Sequence, residues 1–234
     1  MSAIYLIRHG QASFASTNYD NLSELGHEQA RLLGTALRPR IPEVHVVCTG
    51  GMVRHKQTAA ACLETMHAGR STTVPIGEDC GFDEYDHEQL IARFKPRYEN
   101  KLVMAAELAA TLKPRQAFQE MFTQAVSRWI MGEHDADYDE PWPAFGERCT
   151  GALERIAHSL GSGQSALVFT SGGTITAIVH ALLGIPNQQA IKMLWTMVNC
   201  SVTKIVVGSR GMHLSSFNEH GHFEHDPRRW LTYR

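Results

Sequence analysis

The order of apolar runs, glycine turns and helical patterns restricts the fold of this chain more than any other feature. Short apolar runs at residues 4–7, 44–48 and 166–169 each end in a glycine-containing turn and are followed by a helical pattern. Runs of this length are typical of fully buried strands, because they are too short for core helices. Strands that alternate with helices predict a mostly parallel sheet with helices on both faces.

The remaining segments extend this architecture. Residues 72–76 predict a short strand, and residues 201–207 and 212–217 predict a hairpin that adds an antiparallel edge strand. Residues 87–132 keep helical periodicity, broken at Pro96 and Pro114, and an acidic, proline-containing loop follows up to residue 143. We predict an α/β three-layer sandwich in a single domain over residues 1–234, with a helical insertion at about 87–143.

Composition argues against several classes of function. The chain has 22 basic and 24 acidic residues and a net charge of -2, which gives no electrostatic basis for binding nucleic acid or an anionic membrane. Its 5 cysteines are scattered without CxxC spacing, so neither a disulfide framework nor a thiolate zinc site is indicated. No basic leader and no stretch of transmembrane length are seen, so we expect a cytoplasmic protein. The oligomeric state stays open.

Polar side chains follow the predicted strands at the points where these end. They are Arg8 and His9, Arg54, Glu84, and the turn Ser171-Gly172-Gly173. Because the strand-to-helix turns of a parallel sheet open on one side, we expect these residues to converge. Arginine forks match phosphate oxygens, and histidine serves as a nucleophile, a base or a metal ligand. The Arg-His pair alone therefore leaves metal binding, base catalysis and phosphate capture open.

Five ordered sequence blocks resemble the histidine phosphatase superfamily, the phosphoglycerate mutase-like proteins. A lone Arg-His-Gly is a weak signal, whereas five blocks in family order are a strong one. They span most of the chain and leave the helical insertion unmatched. The blocks are Leu6-Ile7-Arg8-His9-Gly10, Leu22-Ser23-Glu24-Leu25-Gly26-His27-Glu28-Gln29-Ala30, Arg54-His55-Lys56-Gln57-Thr58-Ala59, Phe82-Asp83-Glu84-Tyr85-Asp86 and Phe169-Thr170-Ser171-Gly172-Gly173-Thr174-Ile175.

The resemblance implies a role for each matched residue. His9 looks like the nucleophile that takes the phosphoryl group as a phosphohistidine. Arg8 and Arg54 look like the clamp on phosphoryl oxygens, whose charge is spread in a loose transition state. Glu84 matches the carboxylate that protonates the leaving oxygen and then helps to activate water. The family's chemistry requires no metal or other cofactor, and the implied substrate is a small phosphorylated molecule.

One position departs from the family's pattern. The family usually places a second histidine directly before the glycine after its late strand, where this chain has Ser171. Ser171 can still donate a neutral hydrogen bond, and the amides of Gly172 and Gly173 at a helix N-terminus suit an anion. Because losing one preorganised donor can cost about 10²–10³ in rate, the change predicts slower catalysis, an altered substrate or no turnover.

Weaker candidates lie in loops. Gln11, Ser13 and Asn18 fall where the family often contacts its substrate, but their match is looser. Glu84 is preferred over the aspartates beside it because of the family match. The tail holds His220, His222 and His225, enough ligands to suggest a metal site, but packing or surface roles are favoured.

Several functions stay open at this point. The leading hypothesis is a metal-independent phosphomonoesterase that works through His9. A mutase is less favoured, because nothing in the insertion identifies a second handle for a phosphoglycerate. Ser171 also suggests a catalytically impaired phosphoester-binding or scaffold protein of the same fold. A serine hydrolase with Ser171 as nucleophile lacks the elbow glycine, since Phe169 stands two residues before the serine.

Overall fold

A mixed sheet forms the centre of this computed structural model, which describes residues 1–13, 20–69 and 74–233. Its strands are β1 (Ser2–Arg8), β2 (Val46–Thr49), β3 (Ile76–Glu78), β4 (Ser165–Thr170), β5 (Val202–Gly208) and β6 (Gly211–Glu219). The spatial order is β3-β2-β4-β1-β5-β6. The first four of these run parallel, while β5 is antiparallel to β1 and β6 to β5. The predicted mostly parallel sheet with an antiparallel edge is confirmed.

Helices cover both faces of this sheet, which completes the predicted three-layer sandwich. The α-helices of the described residues are α1 (Glu24–Leu37), α2 (Val53–Met66), α3 (His87–Phe94), α4 (Lys101–Ala109), α5 (Pro114–Met131), α6 (Trp142–Ser159), α7 (Gly172–Leu183), α8 (Asn187–Thr196) and α9 (Pro227–Trp230). Ser23 caps α1, since its Oγ accepts a hydrogen bond from Gly26 N at 3.0 Å.

The alternation of side chains in β1 explains why two cores form. Ile4 and Leu6 point into the core shared with α6 and α7, whereas Tyr5 and Ile7 point into the core shared with α1 and α2. Successive side chains of a strand lie on opposite faces, so a strand between two helical layers must be apolar at every position. That requirement accounts for the unbroken apolar run at the start of the chain.

The helical segment between β3 and β4 joins the core through aromatic side chains. Trp129 of α5 is fully buried, and its ring lies 5.1 Å from that of Trp142 and 5.2 Å from that of Phe145. The sequence predicts a helix from residue 145, but α6 already begins at Trp142. Pro143 fits in its first turn, where a missing amide proton costs nothing.

The third strand is shifted from its predicted position. Residues 72–76 predict it, yet β3 spans Ile76–Glu78, and residues 72 and 73 lie outside the described ranges. Pro75 has no amide proton for a ladder, which explains why pairing with β2 starts at Ile76 opposite Val47. None of the helices described is both long and apolar enough to span a bilayer.

Candidate active site

The carboxyl end of β1 brings Arg8 and His9 to the centre of the sheet edge. On one side, His9 N donates to Thr170 O of β4 at 2.8 Å. On the other side, Asn199 Nδ2 donates to His9 O and Cys200 N donates to Arg8 O, both at 3.0 Å. The backbone of the Arg-His pair is therefore held from both neighbouring strands, which preorganises its side chains.

Gly10 lets helix α1 approach the end of β1. A Cβ at this position would overlap the carbonyl of Gly26, so the glycine is required by the close approach and not by a positive φ. Its amide donates to Thr58 Oγ1 at 3.1 Å, and that hydroxyl donates to Arg54 O at 2.6 Å. The turn after β1 is thereby tied to the first turns of α2.

The His9 imidazole is held in one tautomer. Its Nδ1 lies 2.7 Å from Gly10 O, and because a carbonyl can only accept, Nδ1 carries the proton. Nε2 then keeps its lone pair. Burial, with the positive charges of Arg54 and Arg8, lowers the pKa of His9 well below 6.5. A neutral imidazole with a free Nε2 is the form that can attack an electrophile.

Arg54 lies in the first turn of α2 and is 8% exposed. One of its nitrogens, Nη1, donates to Asp20 Oδ1 at 2.7 Å, while Asp20 Oδ2 accepts from Val53 N at 2.8 Å. A cation at a helix N-terminus is unfavourable, and a carboxylate there offsets it. Arg54 is thus placed to bind the oxygen atoms of an anion beside His9.

The guanidinium group of Arg8 lies against the start of α7. A Cβ on Gly172 would lie 3.4 Å from Arg8 Nε, so glycine leaves room for the side chain. Arg8 Nη1 donates to Met197 O, and Nη2 donates to Tyr233 O at 3.1 Å. The amides of a helix N-terminus and a fixed guanidinium favour an anion at the same place.

Glu84 reaches the same helix start from the loop after β3. Its Oε2 accepts from Gly173 N at 3.2 Å. Burial raises the pKa of Glu84 above its ordinary 4.5, although the charges of Arg54 and Arg8 work in the opposite direction. A carboxyl group with a raised pKa beside two cations can act as a general acid toward a leaving oxygen.

The aspartates beside Glu84 have different contacts. The Asp83 carboxylate accepts from Gly51 N in the turn after β2. Asp86 caps α3, since its Oδ1 accepts from Glu88 N at 2.9 Å and Gln89 N at 3.1 Å. Both aspartates thus bind backbone amides of other segments, which supports Glu84 as the candidate general acid.

Hydrogen bonds to its backbone fix the loop that carries Glu84. Arg148 Nη1 of α6 donates to the carbonyl oxygens of Cys80, Gly81 and Asp83 at 3.0, 3.1 and 3.1 Å. Thr174 Oγ1 of α7 donates to Asp83 O at 2.9 Å. The position of the candidate acid is therefore set by α6 and α7.

Ser171 contacts a second imidazole, that of His55. Its Oγ lies 2.7 Å from His55 Nε2, and both residues are fully buried. The ring of His55 lies 5.8 Å from the ring of His9, measured between centroids. Ser171 has an extended backbone, with φ -119° and ψ 167°, and so lacks the strained turn on which serine hydrolases mount their nucleophile.

The weaker candidates are placed differently. Gln11 Oε1 accepts from Ser23 Oγ at 2.9 Å, so this side chain supports the cap of α1. Ser13 lies beside the start of α1 and pairs through its backbone with the carbonyl of Asn21 at 2.8 Å. Asn18 lies outside the described residues.

Three residues that shape the site escaped sequence reasoning. His55 follows Arg54 in the matched block, and its imidazole in the first turn of a helix could have marked it as a site residue. Asn199 has only the weak signal of an amide in an apolar stretch. Arg148 lies on a helix with no local feature to distinguish it, because its partners are carbonyl groups far away in sequence.

The three histidines of the tail make local contacts. His220 Nδ1 donates to Asn218 O at 2.6 Å, and His225 Nδ1 donates to His222 O at 3.1 Å. The His222 ring packs on Phe223, with centroids 4.1 Å apart. Within the described ranges, no three His, Cys, Asp or Glu side chains come together around a metal position.

Comparison with known proteins gives a family match over nearly the whole chain. A family model described as histidine phosphatase superfamily (branch 1) matches residues 4–128 and 109–220, and these ranges run through the helical segment. A curated relative from Chelativorans sp. (strain BNC1), a 2,3-bisphosphoglycerate-dependent phosphoglycerate mutase, is 26% identical over 204 residues, 81% of this chain and 85% of its own length.

Solved structures share the fold at low identity. Bacillus stearothermophilus YhfR is 20% identical, with a TM-score of 0.63 over 95% of this chain and 99% of that chain. A phosphoglycerate mutase from Bacillus anthracis str. Sterne is 19% identical, with a TM-score of 0.65 over 95% of both chains. A phosphoserine phosphatase variant from Entamoeba histolytica, in complex with phosphoserine, is 14% identical, with a TM-score of 0.65 over 95% of this chain and 99% of that chain.

Proposed function

Because the chain belongs to the histidine phosphatase superfamily (branch 1), we propose that it hydrolyses a small phosphomonoester through a phosphohistidine on His9. One observation carries this proposal. The free Nε2 of a neutral His9 lies beside the guanidinium groups of Arg8 and Arg54 and near a carboxyl group, Glu84, with a raised pKa. That set contains a nucleophile, an anion clamp and an acid.

In the first step, His9 Nε2 attacks the phosphorus atom in line with the leaving oxygen. The N–P bond forms as the P–O bond to the leaving group breaks, and the proton of Glu84 passes to the leaving oxygen. Arg8 and Arg54 stabilise the charge spread over the other phosphoryl oxygens. The side chains that surround His9 thus supply positive charge without requiring a metal ion or another cofactor.

In the second step, water releases the phosphoryl group. The Glu84 carboxylate accepts a proton from water as the new P–O bond forms and the N–P bond to His9 breaks. Inorganic phosphate leaves, and His9 and protonated Glu84 are restored. Splitting the displacement in two makes each barrier lower than that of direct hydrolysis.

Hydrolysis of p-nitrophenyl phosphate by wild type and by His9→Ala tests this proposal. We expect turnover that is insensitive to a chelator and abolished by the substitution. The matched control is His213→Ala, at an exposed position of β6, which should retain wild-type turnover. Hydrolysis that survives in His9→Ala would overturn the proposal.

A phosphoester-binding protein of the same fold is the second candidate, and Ser171 is the observation that favours it. Binding alone needs neither a nucleophile nor an acid, so the raised pKa of Glu84 weighs against it. It would bind phosphate esters without turnover, and an acid-free denaturing quench would trap no phosphoenzyme.

A further inference from the structure

The contact between His55 and Ser171 has no task in the mechanism above. Two fully buried polar side chains from α2 and the start of α7 meet at 2.7 Å, and the ring of His55 lies 5.8 Å from that of His9. Ser171 is the neighbour of Thr170, whose carbonyl accepts from His9 N. The pair is therefore joined to the backbone that holds the nucleophile.

The fold makes room for this imidazole. A Cβ on Gly50, in the turn after β2, would overlap His55 Nδ1 and lie 2.7 Å from Asp83 Oδ1. Glycine at this place thus leaves the space that the ring fills. His55 is held between Gly50 on one side and Ser171 on the other, so its position is defined by packing as well as by the hydrogen bond.

The surroundings of His55 favour one tautomer. Burial, followed by the charges of Arg54 and Lys56, lowers the pKa of His55 well below 6.5, so the ring is neutral and carries one proton. Nδ1 is buried with no hydrogen-bond partner among the described residues. Because a buried N–H without an acceptor is rarer than an unsatisfied acceptor, the proton belongs on Nε2, which donates to Ser171 Oγ.

We propose that His55 is a positioning residue that orients the hydroxyl of Ser171. Ser171 then donates to the phosphoryl group the hydrogen bond that the family's second histidine usually supplies at this place in the fold. This inference rests on the proposed function. With His55 Nε2–H donating to it, Ser171 Oγ keeps its own proton for a phosphoryl oxygen. Hydrogen bonds in such a chain polarise one another, so the hydroxyl becomes a stronger donor than an isolated serine.

The first test removes the hydrogen bond and keeps a ring. His55→Phe should lower kcat for p-nitrophenyl phosphate by about 10²–10³-fold with a smaller change in KM, because the donor acts mainly in the transition state. His55→Gln offers an amide donor in place of Nε2–H and should recover a large part of kcat. Equal losses in both variants, at retained thermal stability, would overturn the inference.

The second test exchanges the two positions and does not depend on the first variant folding. Ser171→His alone should be poorly active, because a second imidazole has no room beside His55. In the His55→Ala/Ser171→His double variant the space is free, and kcat should return to within about tenfold of wild type. A purely structural role for His55 predicts no such recovery, so a double variant no better than His55→Ala contradicts the inference.

Orthovanadate binding separates this inference from the proposed function. If wild type shows no His9-dependent hydrolysis, the proposed function fails, but calorimetric titration with orthovanadate still reports on the anion position. His55→Phe should then bind orthovanadate at least about tenfold more weakly, and the double variant should recover the affinity. Unchanged affinity in His55→Phe would count against the pair as part of the anion site.

Discussion

At the scale of single residues, the site depends on glycines that leave space for side chains from other elements. Gly173 is the sharpest case, because a Cβ there would overlap Glu84 Oε1 and lie 2.6 Å from the ring of Tyr85. The candidate acid can therefore occupy its place only if residue 173 has no side chain. The backbone amide of Gly173 also donates to Glu84 Oε2.

Gly173→Ala should displace Glu84 and remove general acid catalysis. We expect kcat/KM for an alkyl phosphate to fall by about 10²-fold or more, and that for p-nitrophenyl phosphate by less, because a nitrophenolate leaves without a proton. The control is Gly146→Ala in α6, where a Cβ meets nothing within 4 Å. It should keep full activity and gain about 0.5–1 kcal/mol in stability. Equal losses for both substrates would argue against the proposed role of Glu84.

The residues at the sheet edge differ in how far sequence could find them. Arg8, His9, Arg54, Glu84 and Ser171 could be placed together, because strand ends and a family pattern both mark them. The functional pairing of Ser171 with His55 could not, since it is a contact between two elements that are 116 positions apart.

At the scale of elements, helix α6 holds the loop that carries Glu84. Arg148 donates to three carbonyl oxygens of that loop and to both carboxylate oxygens of Glu140, at 2.6 and 3.0 Å. Arg155, two turns further along α6, pairs with Asp79 of the same loop, but its side chain is 59% exposed. Burial distinguishes these arginines, because exposed ion pairs contribute about 0–1 kcal/mol.

Arg148→Met should loosen the loop without touching the phosphoryl position. We expect kcat to fall by about tenfold or more, because small misplacements of a catalytic group are costly, and stability to fall by about 1–3 kcal/mol as carbonyl partners are lost. Arg155→Met, the matched control, should change both by much less. The measurements are steady-state kinetics and urea unfolding. Similar kinetics for the two variants would show that Arg148 does not position Glu84.

The element boundaries show where local sequence is insufficient. Strands β1, β2 and β4 and the hairpin could be predicted because their apolar runs are buried on both faces or alternate clearly. The edge strand β3 could not be placed well, since its three residues are all exposed and its register comes from pairing with β2. The sequence does not predict α8, because its buried face is defined by packing against α5 and α7.

At the scale of the whole molecule, hydrogen bonds join the C-terminal segment to the elements that carry the site. Asn199 N donates to Thr232 O at 2.9 Å, and Gln29 Nε2 donates to Trp230 O at 2.8 Å. The tail also packs His222 against this region, and burial lowers its pKa from 6.5 to about 4. The neutral form of His222 is therefore favoured in the folded protein.

This burial makes stability depend on pH. Because the unfolded state binds a proton near pH 6.5 that the folded state binds only near pH 4, the contribution of His222 is complete above pH 6.5 and declines as the pH falls. At pH 5 the loss is about 2 kcal/mol. The His222→Gln variant should not show this loss. The difference in free energy of unfolding between wild type and His222→Gln should therefore shrink by about 2 kcal/mol from pH 7.5 to pH 5.

Urea unfolding at the two pH values measures the effect. His213→Gln, at an exposed position of β6, is the control and should follow wild type. A constant difference between wild type and His222→Gln would show that His222 does not contribute to acid sensitivity.

The most direct measurement of the central claim is the site of phosphorylation during turnover. Rapid mixing with a phosphomonoester, an acid-free denaturing quench and peptide mass spectrometry should find a phosphoryl group on His9, because Nε2 of that residue is the free nucleophile. The label should be stable to alkali, labile to acid and missing in His9→Ala. A phosphoryl group on Ser171, or turnover with no phosphoenzyme and full activity in His9→Ala, would contradict the account.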